Sequence, residues 1–172
     1  MVKAIVIEND APIRNFIVQT IESLCPNVGI ISVATDIKTG IGAINEHEPD
    51  LVLLDIKQPD GSGFELVDHF PSPEFKVIFF SSYPDYAIKA IRYNAIDYIT
   101  KPIKQEELAQ AVKKAEDIIR YEEKLQAKAL GQSIKSLNSS HRLVLNPVTR
   151  SIWLMPTKSF TLKQMGIIQR FI

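Results

Sequence analysis

The residues of this chain best suited to chemistry stand directly after short apolar runs. Glu8 and Asn9 follow the first run, Asp55 ends the third, and Ser81 and Lys101 follow the last two. In an open α/β sheet, ligands bind beyond the carboxyl ends of the strands. If these runs are parallel strands, their ends lie side by side at one edge. Asp55 is then either a working carboxylate or an ordinary strand-ending residue, and the side chains beside it decide between the two.

The apolar runs alternate with helical patterns, which predicts an α/β fold. The four apolar residues 51–54 are too few for a buried helix and suit a strand that is covered on both faces. Right-handed crossovers between such strands give a parallel sheet with helices on both faces. The predicted strands are 2–7, 28–34, 51–55, 76–80 and 97–100, and the predicted helices begin at residues 11, 37, 63, 86 and 105.

The composition favours a globular protein with a real core. The chain has 172 residues, 45% of them hydrophobic, and its 20 basic and 20 acidic side chains balance. Net charge therefore gives no indication of nucleic-acid or membrane binding. The one cysteine, Cys25, excludes an internal disulfide framework and is predicted to be a buried, small apolar residue. No signal peptide or membrane-spanning run is visible, so we expect a cytoplasmic protein.

Four motifs stand at the ends of the predicted strands. They are Ile7-Glu8-Asn9-Asp10, Leu53-Leu54-Asp55-Ile56 with Pro59 and Gly63, Phe80-Ser81-Ser82, and Ala95-Ile96-Asp97-Tyr98-Ile99-Thr100-Lys101-Pro102. Taken together, they resemble the receiver domain of two-component response regulators, and the segment 83–90 is similar to receivers of the LytTR-linked group. The resemblance covers residues 1–120 and implies a CheY-like, doubly wound, flavodoxin-like (βα)5 sheet with strand order 2-1-3-4-5. It also implies a signalling protein rather than an enzyme.

The resemblance implies that Asp55 accepts a phosphoryl group from a histidine kinase or a phosphotransfer protein. Phosphoryl transfer depends on positioning and on compensation of charge, for which Mg²⁺ with oxygen ligands is the expected cofactor. Lys101 would stabilise the phosphoryl oxygens as a point charge, and Ser81 would bond to them. Tyr98 would turn inward when Ser81 moves. The ligands of Mg²⁺ would be Glu8, Asn9, Asp55 and the backbone carbonyl of Lys57.

One pair of residues departs from the pattern of many receivers. Where these carry two aspartates, this chain has Glu8 and Asn9, which leaves fewer carboxylates to concentrate Mg²⁺. We expect weaker metal binding, and Asp10 could compensate in part. The alternative is a pseudo-receiver that acts as a protein interaction module without phosphorylation. A phosphatase of the aspartyl-phosphate type is disfavoured, because Lys57 stands where a second catalytic aspartate would be needed.

Two surfaces could join copies of this chain into a homodimer. The resemblance implies a dimerisation or partner face on the fourth helix, fifth strand and fifth helix, which includes Ile88, Ile91 and Tyr98. The last helix is also longer than a receiver can cover, and its second half could pair as a short coiled coil or remain a solitary connector. Residues 121–141 are accordingly predicted to be a helix extension followed by a flexible linker from Gly131.

The residues beyond the linker are predicted to be part of an output domain. Two alternating runs and a capping box at Thr161 give residues 142–172 a resemblance to the start of an OmpR-type winged-helix domain. A recognition helix, which reads DNA bases, does not occur in this stretch. Regulation of transcription through DNA binding would then require a complete output domain. About thirty residues also bury too little surface to be stable alone.

Overall fold

The computed structural model describes residues 1–139 and confirms the alternation of strands and helices. Residues 1–139 contain five α-helices and, besides the strands of the main sheet, a short hairpin. The strands are β1 (Val2–Ile7), β2 (Val28–Ala34), β3 (Leu51–Asp55), β4 (Lys57–Gln58), β5 (Gly61–Ser62), β6 (Lys76–Ser81) and β7 (Asp97–Thr100). The helices are α1 (Ala11–Leu24), α2 (Ile37–His47), α3 (Gly63–Asp68), α4 (Ala87–Arg92) and α5 (Gln105–Ser139).

The main sheet has the predicted topology. Its order is β2-β1-β3-β6-β7, and every neighbouring pair is parallel. Counted without the hairpin, this is the order 2-1-3-4-5 of a flavodoxin-like sheet. Strand β3 lies at the centre, between β1 and β6. The first strand of the chain, β1, has a neighbour on each side, β2 and β3. The direction in which strands are added to the sheet therefore reverses at β1. The crevice where such folds bind ligands lies between the carboxyl ends of β1 and β3.

The hydrophobic core forms two layers, one on each face of the sheet. Successive side chains of a strand point to opposite faces, and in β3 all of them are buried. Leu51 and Leu53 pack in the layer that includes α1 and α5, whereas Val52 and Leu54 pack with α2 and α3. This two-sided burial is the reason that the central strand has no polar residue before Asp55. Burial of each such side chain contributes about 1.5–3 kcal/mol.

Two aspartates cap helix α2, one just before the helix and one in the loop after β3. Asp36 accepts a hydrogen bond from Thr39 N at 2.7 Å, as an N-cap residue does. Asp60 accepts bonds from Ile37 N at 2.9 Å and from Lys38 N at 3.1 Å. The loop after β3 is thereby fastened to the beginning of α2. No local sequence pattern indicates this contact, because Asp60 is 23 residues away from Ile37.

Some helix boundaries differ from the predicted ones. Helix α4 begins at Ala87, not at residue 86, and a 3-10 turn, Pro84–Tyr86, precedes it. The prediction of a flexible linker from Gly131 is wrong for residues 131–139, which continue α5 to Ser139. One glycine costs a helix interior only about 1 kcal/mol, and no proline follows to break it. The predicted output segment 142–172 lies outside the described residues.

Met1–Ser133 form one compact unit, and a second unit begins at Ile134. The structure describes the second unit only as far as Ser139, and those residues are helical. Among the helices of residues 1–139, none is both long enough and apolar enough to cross a bilayer.

Candidate functional site

The ends of four strands bring the predicted site residues together. Strands β1, β3, β6 and β7 are in parallel register, with Ile7 beside Leu54, Asp55 beside Phe80 and Ser81 beside Thr100. The side chains that follow these ends line a cavity of about 430 Å³, which we call the strand-end cavity. Its lining includes all of the predicted site residues except Ser81 and Tyr98. The lining residues are Glu8, Asn9, Asp10, Ile13, Asp55, Lys57, Gln58, Pro59, Ser82, Tyr83 and Lys101.

Lys101 joins the two acidic side chains of the cavity. Its Nζ lies 2.6 Å from Asp55 Oδ2 and 2.7 Å from Glu8 Oε2. The exposed fractions of the side chains are 13% for Lys101, 6% for Asp55 and 0% for Glu8. One ammonium group therefore compensates two carboxylates that have little access to water. Charged groups so placed are stable only when they are paired.

Burial and ion pairing act against each other on the protonation of this cluster. Burial raises the pKa of the Glu8 carboxyl above its ordinary value, and the hydrogen bond from Lys101 opposes this. Burial by itself would lower the pKa of Lys101, but its hydrogen bonds to Asp55 and Glu8 outweigh this, so the pKa is raised. Lys101 is therefore firmly protonated, whereas Glu8 holds its negative charge less readily than a carboxylate in water.

Each carboxylate is also held by the backbone of its own loop. Glu8 Oε1 accepts a bond from Asp10 N at 2.9 Å, and Asp55 Oδ1 accepts one from Lys57 N at 3.2 Å. Asn9 lines the same cavity from an exposed position. Asp10, whose direction the sequence left open, caps α1 by accepting a bond from Ile13 N, so its carboxylate is engaged there.

The donor set around the cavity fits a hard cation. Two carboxylates, the side-chain amide of Asn9 and the backbone of Lys57 offer oxygen atoms, which Mg²⁺ prefers. No cluster of three or more acidic, histidine or cysteine side chains able to hold a metal occurs within residues 1–139. A cation here would thus be held by fewer charged ligands and more neutral oxygens, in agreement with the Glu8-Asn9 departure. The nearby Lys101 ammonium would compete with it for the carboxylates.

Ser81 and Tyr98 are not among the residues that line the cavity, and both bond to the backbone of Tyr83. Ser81 is fully buried, and its Oγ accepts a bond from Tyr83 N at 3.2 Å. The hydroxyl of Tyr98, which is half-buried, donates to the backbone carbonyl of Tyr83. Tyr83 itself lines the cavity, where its hydroxyl lies 3.4 Å from Lys57 Nζ. The two predicted switch residues therefore hold the same loop.

Three residues of the site were missed from the sequence. Gln58 is buried and donates from Nε2 to the carbonyls of Ile7 and Asp55. Arg14 donates to the carbonyl of Glu8 at 2.8 Å and so holds the loop after β1. Tyr83 connects the switch residues. The available signal for Gln58 was a polar residue placed between the strand end and the Pro59 turn, whereas Arg14 and Tyr83 gave none.

Comparisons with known proteins agree with this geometry. Residues 4–113, more than half of the chain, match the response regulator receiver domain family. A response regulatory protein of Vibrio vulnificus is 35% identical over 138 residues, which cover 80% of this chain and 54% of the relative. The sensory transduction protein LytT of Enterococcus faecalis is 32% identical over 64% of this chain and 47% of its own. The chain thus spans about half the length of the curated relatives it matches.

Solved structures have the same fold as the described residues. The CheY-like receiver domain protein of Methanospirillum hungatei covers 71% of this chain and 98% of its own, with 25% identity and a TM-score of 0.62. A DNA-binding response regulator of the LuxR family from Staphylococcus aureus matches with 25% identity and a TM-score of 0.61, over 67% of this chain and 98% of that one. With its sheet order, its strand-end cavity and its sequence match, the chain belongs to the response regulator receiver domain family.

Proposed function

We propose that this chain is a phosphorylatable receiver in which Asp55 accepts a phosphoryl group from a histidine kinase or a phosphotransfer protein. The observation that carries the proposal is the placement of Lys101 Nζ at 2.6 Å from Asp55 Oδ2, beside a cavity open to a donor. A strand-ending aspartate without a function would not need a half-buried lysine from another strand end. The single cysteine of the chain would remain reduced in the cytoplasm, where such signalling takes place.

The residues around Asp55 supply positioning and charge compensation. Transfer breaks the bond between phosphorus and the donor and forms one to a carboxylate oxygen of Asp55. Lys101 already contacts that carboxylate and would turn its charge to the phosphoryl oxygens. A bound Mg²⁺ would neutralise further charge on these oxygens. The residues that would hold it are Glu8, Asn9, Asp55 and the backbone carbonyl of Lys57.

The response to phosphorylation would pass through the loop that Ser81 and Tyr98 hold. A phosphoryl group at Asp55 offers acceptor oxygens to the Ser81 hydroxyl, which now accepts from Tyr83 N. If Ser81 turns to the phosphoryl group, Tyr83 loses a bond and Tyr98 loses a fixed acceptor. The population of arrangements of this loop and of α4 would then shift. The exposed Ile88 and Ile91 on α4 are the surface that such a shift would change.

The test is phosphorylation of the full chain by a small-molecule donor such as acetyl phosphate, followed by intact-mass measurement. Wild type should gain one phosphoryl group in Mg²⁺ and none in excess chelator. Asp55→Asn, which keeps the shape of the side chain, should gain none. Asp85→Asn, which changes an exposed aspartate on the neighbouring turn, should behave as wild type. Equal labelling of both variants would overturn the assignment of Asp55.

The alternative is a pseudo-receiver that binds partners without phosphorylation. The burial of Glu8, which raises the pKa of its carboxyl, and the low number of acidic ligands favour it. Beryllofluoride, a mimic of the phosphoryl group, separates the two functions. In a working receiver it should shift the NMR resonances of Ser81, Tyr83 and Tyr98 when Mg²⁺ is present. A pseudo-receiver should show no change at these residues.

We further propose that the receiver regulates transcription as part of a longer protein. The support is a relative that is named a transcriptional regulatory protein, BtsR of Escherichia coli. BtsR is 30% identical over 65% of this chain, which covers 47% of BtsR. Because this chain spans about half of such relatives, DNA binding would belong to a complete output domain.

A further inference from the structure

Lys57 places an ammonium group beside the strand-end cavity. The residue is exposed and is one of those that line the cavity. Its Nζ lies 3.4 Å from the hydroxyl of Tyr83 and 5.4 Å from the centre of the Tyr83 ring, which is within the range of a cation–π contact. The side chain therefore joins the loop after β3 to the loop after β6.

The charge of this ammonium group is not paired. Within residues 1–130, whose side chains the structure describes, Lys57 forms no ion pair, and both contacts of its Nζ are made to the phenol of Tyr83. Lys101 differs, because Glu8 and Asp55 hold its ammonium at 2.7 and 2.6 Å. Lys57 therefore brings to the cavity a positive charge that no carboxylate of residues 1–130 compensates.

The backbone of Lys57 keeps this charge close to Asp55. The backbone N–H of Lys57 donates to Asp55 Oδ1 at 3.2 Å, so the Lys57 side chain begins beside the carboxylate. A lysine side chain is a flexible stem of four carbons that carries its charge at the end. A phosphoryl group on Asp55 would therefore lie within the reach of the Lys57 ammonium.

Such a phosphoryl group would be a better acceptor than the hydroxyl of Tyr83. The contact of 3.4 Å is long for a hydrogen bond, and both side chains are exposed to water, so the ammonium is weakly held. Phosphoryl transfer replaces the single charge of the carboxylate by about two charges, spread over three acceptor oxygens. Hydrogen bonds between charged groups are shorter than those between neutral groups and about twice as strong. The ammonium would thus gain by moving from Tyr83 to these oxygens.

We propose that Lys57 binds the phosphoryl group on Asp55, as a second ammonium group beside that of Lys101. This inference rests on the proposed function, because it assumes that Asp55 is phosphorylated. The second charge matters in this chain because Asn9 contributes a neutral oxygen, not a carboxylate, to the cation site. A site with fewer acidic ligands attracts Mg²⁺ less strongly, and Lys57 would supply part of the compensation that the phosphoryl oxygens need.

The experiment follows the labelling of the full chain by acetyl phosphate over time, in saturating Mg²⁺ and by intact mass, for wild type, Lys57→Met and Lys124→Met. Both substitutions remove one charge from an exposed lysine, and Lys124 lies on α5 and does not line the cavity. Lys57→Met should slow labelling by about tenfold or more, as the loss of a hydrogen bond between charged groups does. Lys124→Met should be labelled at the wild-type rate. Equal rates for Lys57→Met and wild type would overturn the inference alone, whereas a wild type that takes no label would overturn the proposed function as well.

Calorimetric titration with Mg²⁺ separates contact with the phosphoryl group from damage to the cation site. Lys57→Met keeps the backbone carbonyl that would bind the cation and removes a positive charge that repels it. The unphosphorylated Lys57→Met protein should therefore bind Mg²⁺ at least as tightly as wild type, although it is labelled more slowly. If its Mg²⁺ affinity falls by the same factor as its labelling rate, the cation site accounts for the effect and the inference is overturned.

Discussion

At the scale of single residues, Lys101 contributes most to the site, because it is the positive charge that two buried carboxylates share. Lys101→Met would leave Glu8 and Asp55 close together without compensation. Breaking a buried ion pair costs about 3–5 kcal/mol, and we expect a loss of this order in the free energy of unfolding. Urea denaturation without metal measures it. Lys113→Met, which removes ion pairs of an exposed lysine, should cost far less, because water screens such pairs. Equal losses would show that the cluster does not depend on Lys101.

Glu8 gives the site a pH dependence whose sign is fixed by the direction of its pKa shift. Burial raises the pKa of Glu8 in the folded state, so the folded chain binds this proton more tightly than the unfolded chain does. The resulting contribution to stability is present when the pH is below 4.5, which is the pKa of this carboxyl in the unfolded chain. It is lost as the pH rises through the pKa that Glu8 has in the folded chain. The free energy of unfolding of wild type, relative to Glu8→Gln, should therefore fall between pH 4 and neutrality, as measured by urea denaturation in metal-free buffer. A difference that is constant or rises with pH would contradict this.

At the scale of elements, Gly63 at the start of α3 sets how closely the loop after β3 can approach Asp55. A Cβ at this position would lie 2.7 Å from the backbone oxygen of Asp55 and 3.0 Å from Leu54 Cγ. The backbone atom cannot move without displacing the carboxylate. Gly63→Ala should therefore lower the free energy of unfolding by about 1–3 kcal/mol, as overpacking does, and reduce phosphorylation of Asp55.

Helix α2 offers a matched control for this substitution. A Cβ at Gly42 would meet nothing within 4 Å, and the residue is exposed within the helix. Gly42→Ala should stabilise the chain by about 0.5–1 kcal/mol, because alanine is the better helix former. Thermal denaturation of the two variants measures the contrast. If Gly63→Ala is as stable as Gly42→Ala, the close packing of α3 against the end of β3 does not limit the stability of the chain.

The elements also show how far sequence reasoning reaches. The strands and the place of Asp55, Glu8 and Lys101 at their ends could be predicted, because buried parallel strands have continuous apolar runs with polar residues just beyond them. The Asp60 cap on α2 and the Gln58 bonds could not, because they join residues that only the tertiary structure brings together. The linker prediction at Gly131 failed for a related reason, since a weak local preference does not end a helix.

At the scale of the whole molecule, the helix that follows the proposed switch loop, α4, carries an exposed apolar surface. Ile88 and Ile91 are 72% and 73% exposed, and both lie on α4 after the loop that Tyr98 holds. Farther along the chain, the exposed Tyr121 and Leu125 lie on α5. Both surfaces were predicted as dimer contacts. Because α4 follows the loop that phosphorylation would change, we expect the dimer that depends on phosphorylation to form there.

Analytical ultracentrifugation of the full chain with Mg²⁺ and beryllofluoride can decide between the two surfaces. Burying two isoleucines in each protomer contributes several times the 1.4 kcal/mol that corresponds to a tenfold change, so Ile88→Ser with Ile91→Ser should raise the dimer dissociation constant by more than about tenfold. Leu125→Ser and Leu24→Ser change side chains that are equally exposed, at 49%, on α5 and α1. Both should leave dimerisation intact, and all of these variants should keep their stability within about 0.5 kcal/mol, as surface substitutions do. A loss of dimer in Leu125→Ser alone would instead assign the contact to the extended helix, and phosphorylation would then have to act through α5.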